Sequence, residues 1–145
     1  MRWEGPDGYF ASDDAALVDV ERVHKWLSVE SYWAAGRPYE VMLRAVENSL
    51  VVGVYTADGE QAGFARFVTD YATFGWLCDV FIDSAHRGRG LGTFLVRTAI
   101  DHPAVRDLRQ VLATAPERSL YRRLGYQNLI SPERWMERPR RATAR

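Results

Sequence analysis

The sequence has little cysteine and no long apolar run. Its single cysteine, Cys78, excludes an internal disulfide and a cysteine-rich zinc site, and this scarcity is typical of a reducing compartment. No apolar stretch approaches the roughly 18 residues that a transmembrane helix needs, and no signal peptide is recognised at the start. We therefore expect a cytoplasmic protein that binds no membrane.

An excess of charge of either sign is also absent. Nineteen basic and nineteen acidic residues give a net charge of zero, so no overall basic field exists to bind nucleic acid. Three scattered histidines and one cysteine form no recognisable metal site, and we expect no metal. The length of 145 residues predicts a single domain over residues 1–138, with a frayed tail at 139–145.

The hydrophobic pattern predicts helices and strands in one chain. Ser12 is a candidate N-cap for a first helix that runs to Leu27, and Pro38 can begin a second helix. Two β-rich runs then flank Asp58-Gly59, which indicates an antiparallel hairpin. Further strands are expected at 74–83, 110–114, 126–130 and 134–136, and further helices at 91–102 and 116–124. This order predicts an α+β fold with a mixed, mostly antiparallel sheet flanked by helices.

Residues 86–93, HRGRGLGT, place three glycines and two arginines between a predicted strand and a predicted helix. Backbone N–H groups at a helix start bind anions, and glycine lets a diphosphate approach them. A P-loop is excluded because no lysine follows Gly92, and a Rossmann fingerprint is excluded because Thr93 stands where its third glycine is required. The alternative is a tightly packed helix start that binds no ligand.

Residues 87–92, RGRGLG, match the Arg/Gln-x-x-Gly-x-Gly/Ala signature. Over residues 20–126 the chain resembles the GNAT superfamily of acyl-CoA-dependent N-acetyltransferases, and 80–83 resembles the family's fourth strand. The resemblance implies a sheet splayed at its central strands, with the pantetheine of acetyl-CoA along the edge formed by Val80, Phe81 and Ile82. It implies that the pyrophosphate binds the turn, whose residues are Arg87, Gly88, Arg89, Gly90, Leu91, Gly92 and Thr93.

The resemblance also implies direct attack of a primary amine on the thioester in a ternary complex. Residues 120–126, LYRRLGY, resemble the family's Tyr-x-x-x-Gly-Phe segment, which makes Tyr121 the candidate acid for the leaving thiolate. A core tyrosine is the alternative. Asp79 is the candidate base because its apolar neighbours could raise its pKa, with a structural hydrogen bond to a neighbouring loop as the alternative. Asp83 is expected to cap the turn.

The chain departs from the family after the predicted strand at 110–114. A polar residue such as asparagine is common there, whereas this chain has ATAPERS at 113–119, which leaves Ser119 as the candidate contact to pantetheine.

The acceptor site is expected around the loop between the first two helices and the loop before residue 74. Aromatic and acidic side chains there could hold an amine by cation–π and ion-pair contacts, although aromatics also fill cores. These candidates are Tyr32, Trp33, Asp70, Tyr71 and Phe74. A small amine, a peptide amine and a protein amine all remain open as acceptors, as does a homodimer. The rival functions are a non-catalytic acyl-CoA-binding or sensory module and an acyltransferase for a longer acyl-CoA.

Overall fold

The computed structural model describes residues 1–116 and 119–141, and in these residues six strands form one sheet. The strands follow chain order: β1 (Arg2–Glu4), β2 (Phe10–Ser12), β3 (Leu50–Tyr55), β4 (Gln61–Thr69), β5 (Phe74–Ile82) and β6 (Arg109–Leu112). The pairings from β1 to β5 are antiparallel, and the pairing of β5 with β6 is parallel. The predicted mixed, mostly antiparallel sheet is confirmed.

The helices are short and begin at local capping signals. Helix α1 (Val20–Lys25) starts where the Asp19 side chain accepts the N–H of Arg22, and it continues as a π-helical turn at Trp26–Glu30. Helix α2 (Tyr39–Glu47) follows Pro38 as predicted, and α3 is Leu91–Ile100. The predicted helix start at Ser12 is wrong, because Ser12 ends β2 and pairs with Gly53 in the sheet.

The sheet of the first unit is covered on both faces, which explains why all six residues of β3 are buried. Helix α3 packs on β3, β4 and β5 with Leu91, Leu95, Val96 and Ala99 buried. The cluster that includes α1 and α2 comprises Val18, Val23, Trp26, Leu27, Ala34, Met42, Val46, Val51, Phe64 and Phe81. Burial of these apolar side chains is the main source of stability of the sheet.

The described residues divide into two compact units, Met1–Ala115 and Pro116–Arg145. The second contains α4 (Ser119–Arg123) and a 3-10 turn at Pro132–Arg134. The strands predicted at 126–130 and 134–136 are wrong, because neither segment pairs with a described strand. Positions 117–118 of the predicted helix and 142–145 of the predicted tail lie outside the described residues, and the single domain stays a prediction. No described helix is long and apolar enough to cross a bilayer.

The parallel pairing of β5 with β6 is short. It extends from Phe74↔Arg109 to Leu77↔Leu112, whereas β5 stays paired with β4 as far as Ile82↔Gly63. Among the described strands, none pairs with residues 78–82 on the β6 side, so backbone N–H and C=O groups lie open along this edge. The expected splay of the central strands is therefore present.

Candidate active site

The open edge of β5 ends in a fixed corner. The Phe81 side chain is buried and stacks on Trp26, with ring centroids 5.6 Å apart. Arg87 folds back over this corner: its Nε donates to the Ile82 carbonyl at 3.0 Å, and its guanidinium lies 5.2 Å from the centre of the Phe81 ring. These contacts hold Ile82 and the start of the glycine-rich turn together.

The glycine-rich turn is held at its beginning by side chains. The Asp83 carboxylate accepts the N–H of Ala85, which confirms the capping role predicted for Asp83. A hydrogen bond of 2.7 Å joins the Tyr9 hydroxyl and His86 Nδ1, so the segment between β1 and β2 supports the turn. These side-chain hydrogen bonds therefore fix the start of the turn within the first unit.

The middle of the turn leaves its backbone uncovered. Gly90 is the N-cap residue of α3 and has φ of +77°, a left-handed conformation that favours glycine. A Cβ atom added at Gly88, Gly90 or Gly92 would meet no described heavy atom within 4 Å. The first N–H groups of α3 have no acceptor within the helix and lie at its positive end. A group that approached these N–H groups would therefore meet no described side chain at the three glycines.

Asp79 lies in a β-bulge on the same strand. The pairing of β4 with β5 passes from Phe64↔Phe81 to Arg66↔Cys78, so Asp79 and Val80 together lie opposite Ala65. Asp79 has φ of +53°, a left-handed conformation that aspartate adopts more readily than most residues. A bulge bends its strand and re-aims side chains.

The Asp79 carboxylate is enclosed by three donors. Arg37 Nη1 lies 2.7 Å and Arg66 Nε 2.6 Å from Oδ2, and Trp33 Nε1 donates to Oδ1 at 3.0 Å. Burial would raise the pKa of Asp79, but the hydrogen bond from Arg37 and the charge of Arg66 outweigh it, so the pKa is lowered.

The pKa of Asp79 differs in direction from the one expected from the sequence. The raised pKa predicted from its apolar neighbours is wrong, because the groups that decide it come from β4 and from the loop before α2. A carboxylate with a lowered pKa is a weak base at neutral pH. The geometry fits the alternative interpretation, a contact to a neighbouring loop, here through Trp33 and Arg37. The roles of Arg37 and Arg66 were not predicted from the sequence, although an arginine inside the apolar run of β4 indicates that a partner exists.

The residues predicted for the acceptor side lie in two places. Tyr32 and Trp33 form an edge-to-face pair with ring centroids 5.1 Å apart, and both rings are exposed. Asp70 stabilises its own turn: it accepts the Thr73 hydroxyl and the N–H groups of residues 72–74, and these hydrogen bonds lower its pKa. In the same turn Tyr71 is exposed with φ of +63°, and half-buried Phe74 begins β5. A contact of Asp70 with an amine stays a prediction.

The second unit carries Tyr121 and Ser119 on α4. The ring of Tyr121 lies edge-to-face against Tyr126 at 6.1 Å, and the N–H of Tyr126 donates to the Tyr121 carbonyl at 3.0 Å. Ser119 is exposed and is the first residue of the helix. The roles expected of Tyr121 and Ser119 stay predictions.

Comparison with known proteins places this fold and turn among acetyltransferases. Residues 20–126 match the model of the Acetyltransferase (GNAT) family. Because this match covers well over half of the chain, the chain belongs to the GNAT acetyltransferase family. The family and the fold that the resemblance implied are confirmed.

Individual relatives support the same family. The Gibberella zeae protein named "Putative acetyltransferase FG08082" is 31% identical over 115 residues, which span 67% of this chain and 64% of that protein. The crystal structure of a protein described as belonging to the GNAT family, from Xanthomonas campestris pv. campestris, is 38% identical with a TM-score of 0.88, covering 93% of this chain and 95% of that chain. Glucosamine-6-phosphate N-acetyltransferase from Arabidopsis thaliana is 16% identical, with a TM-score of 0.61 over 92% of this chain and 97% of that chain, which shows the fold alone.

Proposed function

We propose that this protein transfers an acetyl group from acetyl-CoA to a primary amine by direct attack in a ternary complex. The observation that carries the proposal is the open edge of β5, which runs directly into an uncovered glycine-rich turn at the start of α3. Membership of the GNAT acetyltransferase family supports the same chemistry. In the reaction the amine nitrogen forms a bond to the acetyl carbon, and the carbon–sulfur bond breaks.

The two parts of this edge suit the two polar parts of the donor. Along Val80, Phe81 and Ile82, the backbone groups that face away from β4 would pair with the amides of pantetheine as an added strand does, while the Ile82 carbonyl already accepts Arg87 Nε. The N–H groups of residues 87–93 would bind the pyrophosphate at the positive end of α3. The corner formed by Arg87 and Ile82 would keep these two subsites in a fixed relation.

The proposal assigns one role in the chemistry to Tyr121 and another to Asp79. Tyr121 would donate a proton or a hydrogen bond to the leaving thiolate, because a phenol with a pKa of about 10 is suited to a thiolate leaving group. Asp79 would act as a positioning residue for Trp33 and Arg37, since its carboxylate is already shared among three donors. The proton of the amine would then leave through solvent.

A thiol-release screen tests the proposed function directly. The protein is incubated with acetyl-CoA and a library of small amines, amino acids and peptides, and free CoA is measured together with the mass of the acetylated product. We expect release that depends on the amine. Stabilisation by CoA in thermal melting without release for any amine would favour the non-catalytic module. Faster release from a longer acyl-CoA would favour the other rival function.

A Tyr121→Phe variant tests the proposed acid. We expect kcat to fall by roughly 10²-fold or more, the scale of general acid catalysis, with little change in acetyl-CoA affinity. Activity is measured by thiol release and affinity by calorimetry. Tyr126→Phe is the matched control in the same unit, and its rate is expected to stay near wild type. A wild-type rate for Tyr121→Phe would remove Tyr121 from the chemistry.

A further inference from the structure

Two arginines converge on one carboxylate at the bulge of β5. Arg37 and Arg66 both bond to the same oxygen of Asp79, while the other oxygen accepts the indole N–H of Trp33. Arg37 comes from the loop before α2, and Arg66 comes from β4. Because one carboxylate neutralises one guanidinium, the cluster has a surplus of one positive charge.

This surplus charge is largely withdrawn from water. The side chains of Arg37 and Arg66 are 18% and 11% exposed, and that of Asp79 is 1% exposed. Arginine does not lose its proton in proteins, and a shielded charge without a counter-ion is costly. Within residues 1–116 and 119–141, neither arginine has a second carboxylate within ion-pair distance. A single arginine would be enough to balance the charge of Asp79, so this charge alone does not require the second one.

The two guanidinium groups keep donors free for a ligand. Arg37 donates through Nη1 alone, to the Asp79 carboxylate and to the sulfur of Met42. Arg66 donates through Nε to the Asp79 carboxylate and through Nη1 to the Ser49 hydroxyl. Arg37 Nε, Arg37 Nη2 and Arg66 Nη2 have no acceptor in the described part of the chain. In that part of the chain, the only fully buried side-chain nitrogen or oxygen without a hydrogen-bond partner is Tyr55 Oη. The three arginine nitrogens are therefore not fully buried and remain accessible to solvent.

An open groove leads to Arg66. It has a volume of about 620 Å³, and residues of α2 and β4 line it together with Asn48 and Ser49. The other charged residues of the groove are Glu40 and Arg44, whose charges balance each other. The groove therefore does not cancel the surplus positive charge of the arginine cluster. His24 Nε2 donates to the Arg37 carbonyl at 2.8 Å and so holds the loop that carries Arg37.

We propose that the acceptor amine carries a carboxylate, as an amino acid does, and that Arg37 and Arg66 bind this carboxylate. A planar guanidinium matches the two oxygens of a carboxylate, and one negative charge matches the surplus better than a phosphate, which carries more than one. Asp79 directly precedes Val80 in β5, so a carboxylate bound at the cluster would lie near the strand proposed to carry the thioester. The inference rests on the proposed acetyl transfer, and the carboxylate itself is unchanged in the reaction.

Matched substrate pairs test the inference. Each pair differs only in the carboxylate: phenylalanine with phenethylamine, histidine with histamine, and lysine with cadaverine. We expect kcat/KM for thiol release to be at least about tenfold higher for the amino acid of the best pair, because a site built for a polar group discriminates against the analogue that lacks it. Arg66→Gln is expected to remove this preference. Arg97→Gln, which changes an exposed arginine on α3, is expected to keep it.

A binding measurement separates this inference from the proposed reaction. Calorimetry compares the N-acetylated amino acids with their uncharged carboxamides, and it needs no turnover. Binding that depends on the carboxylate and is abolished in Arg66→Gln would support the site even if no amine released thiol. In that case only the proposal of acetyl transfer would be contradicted.

Two results would overturn the inference. One is turnover of the amines that lack the carboxylate as fast as that of the amino acids, which would leave the proposed acetyl transfer intact. The other is the absence of any preference for the carboxylate in both assays. If Arg66→Gln does not fold, Arg66→Lys is used instead, because lysine keeps the positive charge but lacks the planar fork of the guanidinium. A preference for the carboxylate as large in Arg66→Lys as in the wild type would contradict the assignment.

Discussion

An Asp79→Asn variant is expected to lose about 3–5 kcal/mol of its free energy of unfolding, the scale measured when one partner of a buried ion pair is removed. The loss arises because Arg37 and Arg66 would share one shielded space without a counter-ion. Asparagine also adopts the left-handed conformation that Asp79 has at φ of +53°, so the backbone adds little to the cost. Urea unfolding at neutral pH gives the difference.

The pH dependence of the same variant provides an independent check. The folded pKa of Asp79 is lowered from its ordinary value of 3.8, so its stabilising effect is present above that value. As the pH falls below about 4, the unfolded chain takes up a proton that the folded chain does not, and this part of the stability is lost. Wild-type stability should therefore fall more steeply than that of Asp79→Asn in this range. Asp13 and Asp70 also have lowered pKa values and contribute equally in both proteins.

A small effect would contradict the ion-pair geometry. Exposed ion pairs contribute less than about 1 kcal/mol, so a stability loss below that value would mean that water reaches the cluster. Ser12→Ala is a useful comparison because Ser12 is a buried polar residue in the same sheet whose hydroxyl accepts one backbone N–H. Its loss is expected near about 1 kcal/mol, the net value of a single neutral hydrogen bond.

The elements that sequence analysis predicted well are those with local signals. Pro38 precedes α2, and Asp58-Gly59 forms the turn between β3 and β4, where Gly59 has φ of +91°. In the same way, the glycine-rich turn precedes α3 at Gly90. Each signal depends on neighbours in the chain, so it can be read without knowledge of the fold.

The elements that sequence analysis missed depend on distant pairing. Strands β1 and β2 have only three residues each, too few for a period, and β2 joins the rest of the sheet through pairings distant along the chain, such as Phe10↔Tyr55. The segment 126–130 has aromatic and apolar residues typical of a strand, yet Tyr126 packs on Tyr121 and Ile130 is exposed. Local preference alone therefore does not decide whether such segments form strands.

The candidate site shows the same division between local and distant information. The glycines of the turn and the position of Asp79 in a strand are visible in the sequence, as is the cap formed by Asp83. The pKa of Asp79 is not, because Arg37 and Arg66 lie 42 and 13 residues away along the chain. A charged residue on an apolar strand thus indicates that a partner exists without identifying it.

A Gly90→Asn variant is expected to weaken CoA binding by about 100-fold while leaving the fold nearly unchanged, because a few charge-assisted hydrogen bonds to phosphate would be lost. Asparagine tolerates the left-handed conformation at φ of +77°, and a Cβ atom there meets no described atom within 4 Å. The new side chain would instead occupy the space proposed for the pyrophosphate. Calorimetry with CoA measures the affinity, and thermal melting measures the stability.

Gly92→Ala separates the requirements of the ligand from those of the fold. Gly92 is the second residue of α3, with no described atom within 4 Å of an added Cβ, and alanine is the better helix former by at most about 0.8–1.0 kcal/mol. We therefore expect the stability to rise and the CoA affinity to fall, two changes of opposite sign from one methyl group. A loss of stability would contradict the open turn. Unchanged CoA affinity in both glycine variants would exclude the turn as the pyrophosphate site, whatever the activity of the protein.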